Sequence, residues 1–309
     1  YTVMKVLVAT EKPFAAVAVD GIRKEIENAG YELVLLEKYT DKADLLKAVA
    51  DVDALIIRSD KVDAEVLDAA KNLKVVVRAG AGYDNVDLAA ATAHGVCVEN
   101  TPGQNSNAVA ELVFGMAVMA FRNMYNGTSG AELKGKRLGI HAFGQVGRNV
   151  ARIAKGFGME VSALDPYCPD EVMVEAGVVP VHSVEELYKN NQVVSLHIPA
   201  TDETRKSVGK ALLDLMPKGG LLINTARKEV IDEDGLVAAL EARPDLKYVA
   251  DIKPDCADVM NEKFAGRVFF TPKKMGAQTS EANINAGIAA ARQVVAFLRD
   301  GIDRFRVNK

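Results

Sequence analysis

The stretch Ala142-Phe143-Gly144-Gln145-Val146-Gly147 joins an apolar run, LGIH, to a charged segment of helical period. Glycines at this spacing, in a strand-to-helix turn, are a fingerprint for holding a dinucleotide. Gly144 lets a pyrophosphate approach the backbone, and Gly147 lets the helix pack on the strand. The helix N-terminus then turns its free N–H groups and positive dipole end toward the phosphates. Ala142 stands where the first glycine would be, which is acceptable if its φ stays negative. The next strand, MEVSALD, ends in Asp165, 18 residues after Gly147. A carboxylate at that distance accepts hydrogen bonds from both ribose hydroxyls and repels a 2′-phosphate, which selects NAD over NADP.

Such a loop needs a sheet and helices to hold it. Residues 4 to about 100 alternate short apolar runs (KVLVAT, ELVLLE, DALIIRS, KVVVRAG, VCVEN) with charged helix-period segments such as AVDGIRKEIENAG. Continuous apolar strands with helical crossovers predict a parallel sheet covered on both faces. A second series, KRLGIHAF, EVSALD, QVVSLHI, GLLINTA, KYVADI and VFFTP, begins near Lys136 and predicts a second doubly wound sheet. Between them, NSNAVAELVFGMAVMAFRNMY opens on good N-cap residues and stays apolar nearly all round, which predicts a long helix buried where the domains meet. The last stretch, SEANINAGIAAARQVVAFLRDG, predicts a helix of about 15 or more residues ended by Gly301. Returning that helix to the first domain makes the domain discontinuous, 1–100 with 284–309, around a second domain of 101–283. The three residues before Met4 carry no structural expectation.

The 309 residues are comfortable for two domains. Apolar residues make up 49% and charged residues 26%, the profile of a soluble globular protein. No stretch approaches the roughly 20 apolar residues needed to span a bilayer. No charged-then-apolar signal opens the chain, so a cytoplasmic location is expected. The net charge of −4, with both signs mixed, shows no basic excess and argues against a nucleic-acid partner. An anionic small molecule needs only a few local cations. Cys97, Cys168 and Cys256 form no CxxC pair and no zinc pattern, so they read as reduced thiols and no metal is expected.

The chain resembles the D-2-hydroxyacid dehydrogenase family, most closely the short-form D-3-phosphoglycerate dehydrogenases. The resemblance covers nearly the whole length through RAGAGYDNVD (78–87), NTPGQNSNAVAE (100–111), GIHAFGQVG (139–147), VSLHIPATDETR (194–205), MPKGGLLINTARKEVIDEDGL (216–236) and FTPKKMGAQTSEAN (270–283). It implies an α/β fold of two doubly wound parallel-sheet domains, a flavodoxin-like substrate domain plus a Rossmann NAD domain, assembled as a homodimer. It implies hydride transfer between a 2-hydroxy acid and NAD, with an arginine on the carboxylate and a histidine backed by a glutamate for the proton. The arginine maps to Arg227, at the C-terminal end of an apolar strand, where such folds bind ligands. Its guanidinium is suited to forking onto a carboxylate or keto oxygen. Asp251 matches the aspartate that contacts the nicotinamide carboxamide, and Thr225 and Ala226 join the cofactor-lining positions. His197, in the family's LH-P turn, is counted with them, but both it and His141 are read as structural rather than as proton carriers.

The family glutamate is missing or displaced: Cys256 is in register, with Asp255 one position earlier. The histidine is missing too, since all four histidines precede residue 200. Counting back from GAQT, its position falls on Lys274; counting forward from TP, it falls on Lys273. Lys274 is favoured, because the downstream glycine fixes how the loop faces the cofactor. A free lysine has a pKa near 10.4, so deprotonation at pH 7 costs roughly 4–5 kcal/mol. Desolvation and a nearby cation such as Arg227 both lower that pKa. A lysine has no tautomer to fix, and a close carboxylate would raise its pKa, so losing histidine and glutamate together is chemically coherent. Lysine can then serve as base in oxidation or as acid in reduction.

The resemblance also implies the substrate contacts. Arg58 ends DALIIR where phosphoglycerate dehydrogenases place a phosphate-binding arginine. Arg78, Ala79, Gly80 and Ala81 resemble the loop that grips the substrate carboxylate with backbone N–H groups. Asn105 and Asn107 resemble residues lining the cleft between domains. The expected reaction is oxidation of 3-phosphoglycerate to 3-phosphohydroxypyruvate, the first step toward serine. Glycerate- or lactate-type acids, or a non-catalytic NAD-sensing protein on the same scaffold, are the alternatives.

Overall fold

A computed structural model describes residues 2–309. The chain divides into two compact units, residues 1–105 with 279–309 and residues 106–278. The breaks fall at 105 and 279 rather than at 100 and 283, and the second shifts because the last helix stays whole. The last helix already starts at Ser280, capped by the Thr279 side chain on the Ala282 N–H.

The first unit runs β1 (Lys5–Thr10), α1 (Ala16–Asn28), β2 (Glu32–Glu37), α2 (Lys42–Ala48), β3 (Ala54–Ile57), α3 (Ala64–Ala69), β4 (Val75–Arg78), α4 (Leu88–Ala93) and β5 (Cys97–Asn100). The five apolar runs become five parallel strands in the order β2-β1-β3-β4-β5. Val6, Leu7, Val8, Leu55, Ile56, Ile57, Val76 and Val77 are buried, as expected for strands covered on both faces.

The second unit contains α5 (Ser106–Phe121), β6 (Arg137–His141), α6 (Gln145–Gly156), β7 (Glu160–Leu164), α7 (Asp170–Glu175), β8 (Val179–Pro180), α8 (Val184–Lys189), β9 (Val193–Leu196), α9 (Lys210–Leu213), β10 (Leu221–Asn224), α10 (Glu233–Ala242), β11 (Lys247–Ala250), α11 (Ala257–Lys263) and β12 (Val268–Phe270). Its parallel sheet has seven strands, β12-β11-β10-β9-β6-β7-β8, one more than the sequence suggested. The extra strand, β8, is two residues long and lies at the edge, where Pro180 removes no needed ladder donor. α5 buries Ala110, Val113, Phe114, Met116 and Ala117 in the core of this unit.

The last helix, α12 (Ser280–Asp300), returns to the first unit and packs on α1 and β4, with Ala286, Ala290, Ala291 and Val294 in its core. It ends at Gly301, which is left-handed with φ 67°. The tail then covers the β5 edge: Val307 N–H donates to the Val98 carbonyl, and the Val98 N–H to Asn308 Oδ1, both at 2.8 Å. An edge so covered is blocked to other strands. No helix among the described residues is long and apolar enough to cross a membrane.

The strand order reverses beside β1 in one sheet and beside β6 in the other. The carboxyl ends of strands at such points are where doubly wound sheets hold ligands.

Candidate active site

The glycine loop lies at one such point, between β6 and α6. Gly144 caps α6 with extended backbone, and a Cβ built there would meet nothing within 4 Å, so a ligand can approach. A Cβ on Gly147 would stand 2.5 Å from the Ala142 carbonyl oxygen, so only glycine lets α6 sit this close to β6. Gln145 and Val146 form the first turn of α6. Phe143 is buried and sends its N–H to Asp165 Oδ2 at 2.9 Å, while Asp165 Oδ1 accepts the Tyr167 N–H at 2.9 Å. Asp165 therefore ties the ends of β6 and β7 together and keeps lone pairs for ribose hydroxyls.

Ala142 corrects the sequence-based expectation. Its φ is +85°, not negative, in the region that favours glycine. Its N–H pairs with the Leu164 carbonyl and the following N–H with Asp165, so neighbouring hydrogen bonds fix the turn despite the Cβ.

Two histidines stand below this loop at the ends of β6 and β9, joined by the His197 N–H to the His141 carbonyl at 2.9 Å. His141 Nδ1 pairs with the Tyr188 hydroxyl at 3.1 Å and His197 Nε2 with Ser195 Oγ at 2.8 Å. Burial pushes His141 down to about 4 and His197 to about 3, so both stay neutral near pH 7 and act as structure.

The turn after β10 is shaped by Asn224, which the motif reading missed. Buried at the strand end, it accepts the Ala226 N–H at 2.9 Å and donates to the Arg227 carbonyl at 2.9 Å. An amide closing an otherwise apolar strand was the available signal. Thr225 Oγ1 is buried without a hydrogen-bond partner, so it is ready to pair with a polar group of a ligand.

Arg227 Nη1 donates to the Ala226 carbonyl at 3.0 Å, and Lys274 Nζ donates to the same oxygen at 2.6 Å and to the Thr225 carbonyl at 3.3 Å. Two cations thus converge on one acceptor. Burial, then the Arg227 charge, lower the Lys274 pKa, with Asp251 and Glu229 working in opposition. Lys274 is half-buried, whereas Lys273 is exposed.

The family's carboxylate is not restored by Asp255, which pairs with Lys228 on the surface at 3.0 Å. Glu233 accepts the N–H groups of Asp255 and Cys256, at 3.3 and 2.8 Å, and fixes that turn. Burial and Glu233 push the Cys256 thiol up to about 12, so it remains protonated. Asp251 is buried and accepts from Thr271 Oγ1 and from the N–H groups of Met275 and Gly276.

In the first unit Arg58 Nη1 donates to the carbonyls of Lys12 and Pro13, at 3.0 and 3.1 Å, and its guanidinium lies over Phe14. Arg78 Nη1 donates to the Ala79 carbonyl at 2.7 Å, while its Nε is buried without a partner. Burial and then the Arg58 charge lower the Arg78 pKa, so the two cations share one strand-end region. The backbone grip expected of residues 79–81 is smaller than predicted. The Ala79 N–H already donates to the Ile57 carbonyl at 2.8 Å and the Gly80 N–H to Thr101 Oγ1 at 2.8 Å. The pairing of β4 with β3 continues one residue past the strand and takes the first, and the Thr101 side chain takes the second. Asn105 is half-buried at the end of this unit's first segment. Asn107 lies on α5, where it donates to Glu111 and accepts from Arg152.

The open face at Gly144, the close packing at Gly147, the Asp165 carboxylate and the orphan Thr225 hydroxyl all fit a bound dinucleotide. Residues 109–265 match the family model described as D-isomer specific 2-hydroxyacid dehydrogenase, NAD binding domain. The chain belongs to this family of dehydrogenases, and NAD is the cofactor of its second unit. It is 36% identical over 289 residues to a D-3-phosphoglycerate dehydrogenase of Methanocaldococcus jannaschii, covering 86% of this chain and 54% of that protein. It is 33% identical over 285 residues to a hydroxypyruvate reductase of Thermotoga maritima, covering 85% of this chain and 90% of that one. The NAD+-bound 3-phosphoglycerate dehydrogenase of Entamoeba histolytica superposes with a TM-score of 0.79 at 47% identity, covering 100% of this chain and 99% of the other. The chain spans about half the length of most of the curated phosphoglycerate dehydrogenases it matches.

Proposed function

We propose that the protein oxidises 3-phosphoglycerate to 3-phosphohydroxypyruvate, as a cytoplasmic homodimer, with Lys274 carrying the hydroxyl proton. The observation that supports this most is the meeting of Arg227 and Lys274 on the Ala226 carbonyl. The guanidinium suits a carboxylate or keto oxygen. The amine beside it reaches an oxygen so held. Oxidation removes a hydride from C2 and a proton from its hydroxyl, and NAD supplies the hydride acceptor when bound. The proton goes to Lys274 Nζ, which must begin as the neutral amine. Burial and the Arg227 charge favour that form. In reduction the ammonium donates to the forming alkoxide, which needs no shift. With a protonated thiol at 256 and Asp255 paired elsewhere, neither group at the missing glutamate's position counteracts the shift.

Arg58 and Arg78 support a phosphorylated acid over glycerate or lactate. Two like charges in one region, one with an unpartnered buried Nε, are best relieved by a dianion.

NADH absorbance followed with 3-phosphoglycerate, glycerate and lactate between about pH 7 and about pH 10 tests the reading. Oxidation of 3-phosphoglycerate is expected, rising with pH through the lowered Lys274 pKa. Lys274→Ala is expected to lower kcat about 10²–10⁴-fold with NAD affinity intact. Lys274→Arg is expected to lose oxidation as well, because a guanidinium does not release its proton. Unchanged turnover in Lys274→Ala removes the lysine from the chemistry. No turnover with any acid, despite NAD binding, favours an NAD-sensing protein.

A further inference from the structure

The Asp251 carboxylate does more in this chain than the carboxamide contact its motif implies. It is 1% exposed, so water does not compete for it. Of its roughly four lone-pair sites, three are taken within the protein. Oδ1 accepts Thr271 Oγ1 at 2.9 Å and the Met275 N–H at 2.8 Å, and Oδ2 accepts the Gly276 N–H at 2.8 Å. All three donors belong to the loop that carries Lys274. The first precedes the two lysines and the other two follow them directly. The Met275 N–H lies in the same peptide plane as the Lys274 carbonyl, so fixing one orients the other. Pro272, between Thr271 and the lysines, fixes its own φ. The carboxylate thus closes both ends of a short loop that carries Lys273 and Lys274.

We propose that Asp251 is a positioning residue, a clamp that folds residues 271–276 so that the Lys274 side chain is held out of water beside Arg227. This rests on the reading of Lys274 as proton carrier. The charged groups acting on Lys274 are Arg227, Asp251 and Glu229, and the neighbouring Lys273 is exposed. Two effects of removing Asp251 have opposite signs, which makes the clamp testable. Asp251 raises the Lys274 pKa as a charge, so losing the charge alone would lower it further. Losing the clamp would return the ammonium to water and raise its pKa toward that of a free lysine.

The test uses the full chain labelled with ε-¹³C-lysine, with the Lys274 resonance assigned by its absence in Lys274→Ala. Its pH titration is compared in wild type, Asp251→Ala and Thr271→Val, with kcat, KM and NAD affinity measured alongside. The clamp predicts an upward move of the Lys274 midpoint in Asp251→Ala. It also predicts a fall in oxidative kcat of about 10- to 100-fold, the scale of a misplaced catalytic group. Reduction near pH 7, for which the ammonium is already charged, should fall less. Thr271→Val keeps the charge and removes one bond, so a smaller move in the same direction is expected, readable even if Asp251→Ala does not fold. A midpoint that falls or stays put in the variants that fold, or a loss confined to NAD affinity, overturns the clamp. Normal turnover in Lys274→Ala alongside a raised midpoint in the clamp variants would reject the proton-carrier reading and leave the clamp standing.

Discussion

Ala142 adopts a φ of +85°, a conformation in which glycine would be unstrained. A non-glycine residue held left of the barrier costs roughly 1–2 kcal/mol. Replacing it by glycine relieves this but gives the unfolded chain about 0.4–1 kcal/mol of extra freedom. Ala142→Gly is therefore expected to raise stability by about 0.5–1 kcal/mol in denaturant unfolding, with NAD affinity equal or tighter. The sequence showed the missing glycine but not the sign of φ, which the Leu164 carbonyl and Asp165 impose from the next strand. Likewise two neighbouring lysines were candidates by count. Only the fold turned one inward onto the Ala226 carbonyl and left the other exposed.

Strands were the most legible elements, because runs such as ALII, and LLIN up to its closing Asn224, are buried on both faces and hence apolar. The two-residue edge strand β8 and the end of α5 were not. After α5, Asn123, Met124 and Tyr125 take φ values of 53°, 56° and 58°, three successive left-handed residues without a glycine. Such a turn persists only where its surroundings over-determine it. Asn123 donates to Thr128 Oγ1 and the Ser129 carbonyl, and the Lys247 ammonium bonds the Ala120 carbonyl at 2.7 Å and Asn123 Oδ1 at 3.1 Å. Lys247 thus caps α5 from the start of β11, at a site where burial and then Arg267 lower its pKa. Lys247→Met should destabilise the protein by about 1–3 kcal/mol, because it leaves the Ala120 carbonyl unpaired. Faster amide exchange confined to residues 118–125 would locate the effect.

Each unit carries its own cores and its own complete sheet. Residues 106–278 expressed alone are therefore expected to fold and bind NAD, measured by calorimetric titration, whereas residues 1–105 without α12 should expose Ile22 and Ile26 of α1 and aggregate. Stability of the whole chain should follow two opposing titrations. His141 and His197 have folded pKa values of about 4 and about 3, below the ordinary 6.5, so their contribution is present above 6.5 and is lost as pH falls toward those values. Glu99, buried beside Gln293, is pushed up to about 7 from 4.5, so its contribution is present below 4.5 and is lost as pH rises through 7. Glu99→Gln should match wild type near pH 4 and exceed it by about 1–2 kcal/mol at pH 8 in thermal unfolding. An equal difference at both pH values would refute that origin.

The sequence by itself determined two parallel sheets, a glycine loop with an acid at the end of the next strand, and an arginine at a strand end. These depend on local period and on short spacings along one strand–turn–helix unit. Tertiary structure decided which lysine meets Arg227, that Asp251 is occupied by the lysine's own loop, and that Asp255 faces Lys228 instead. Those outcomes depend on groups 20 to 50 residues apart competing for the same few buried acceptors, and spacing along the chain does not encode which donor wins.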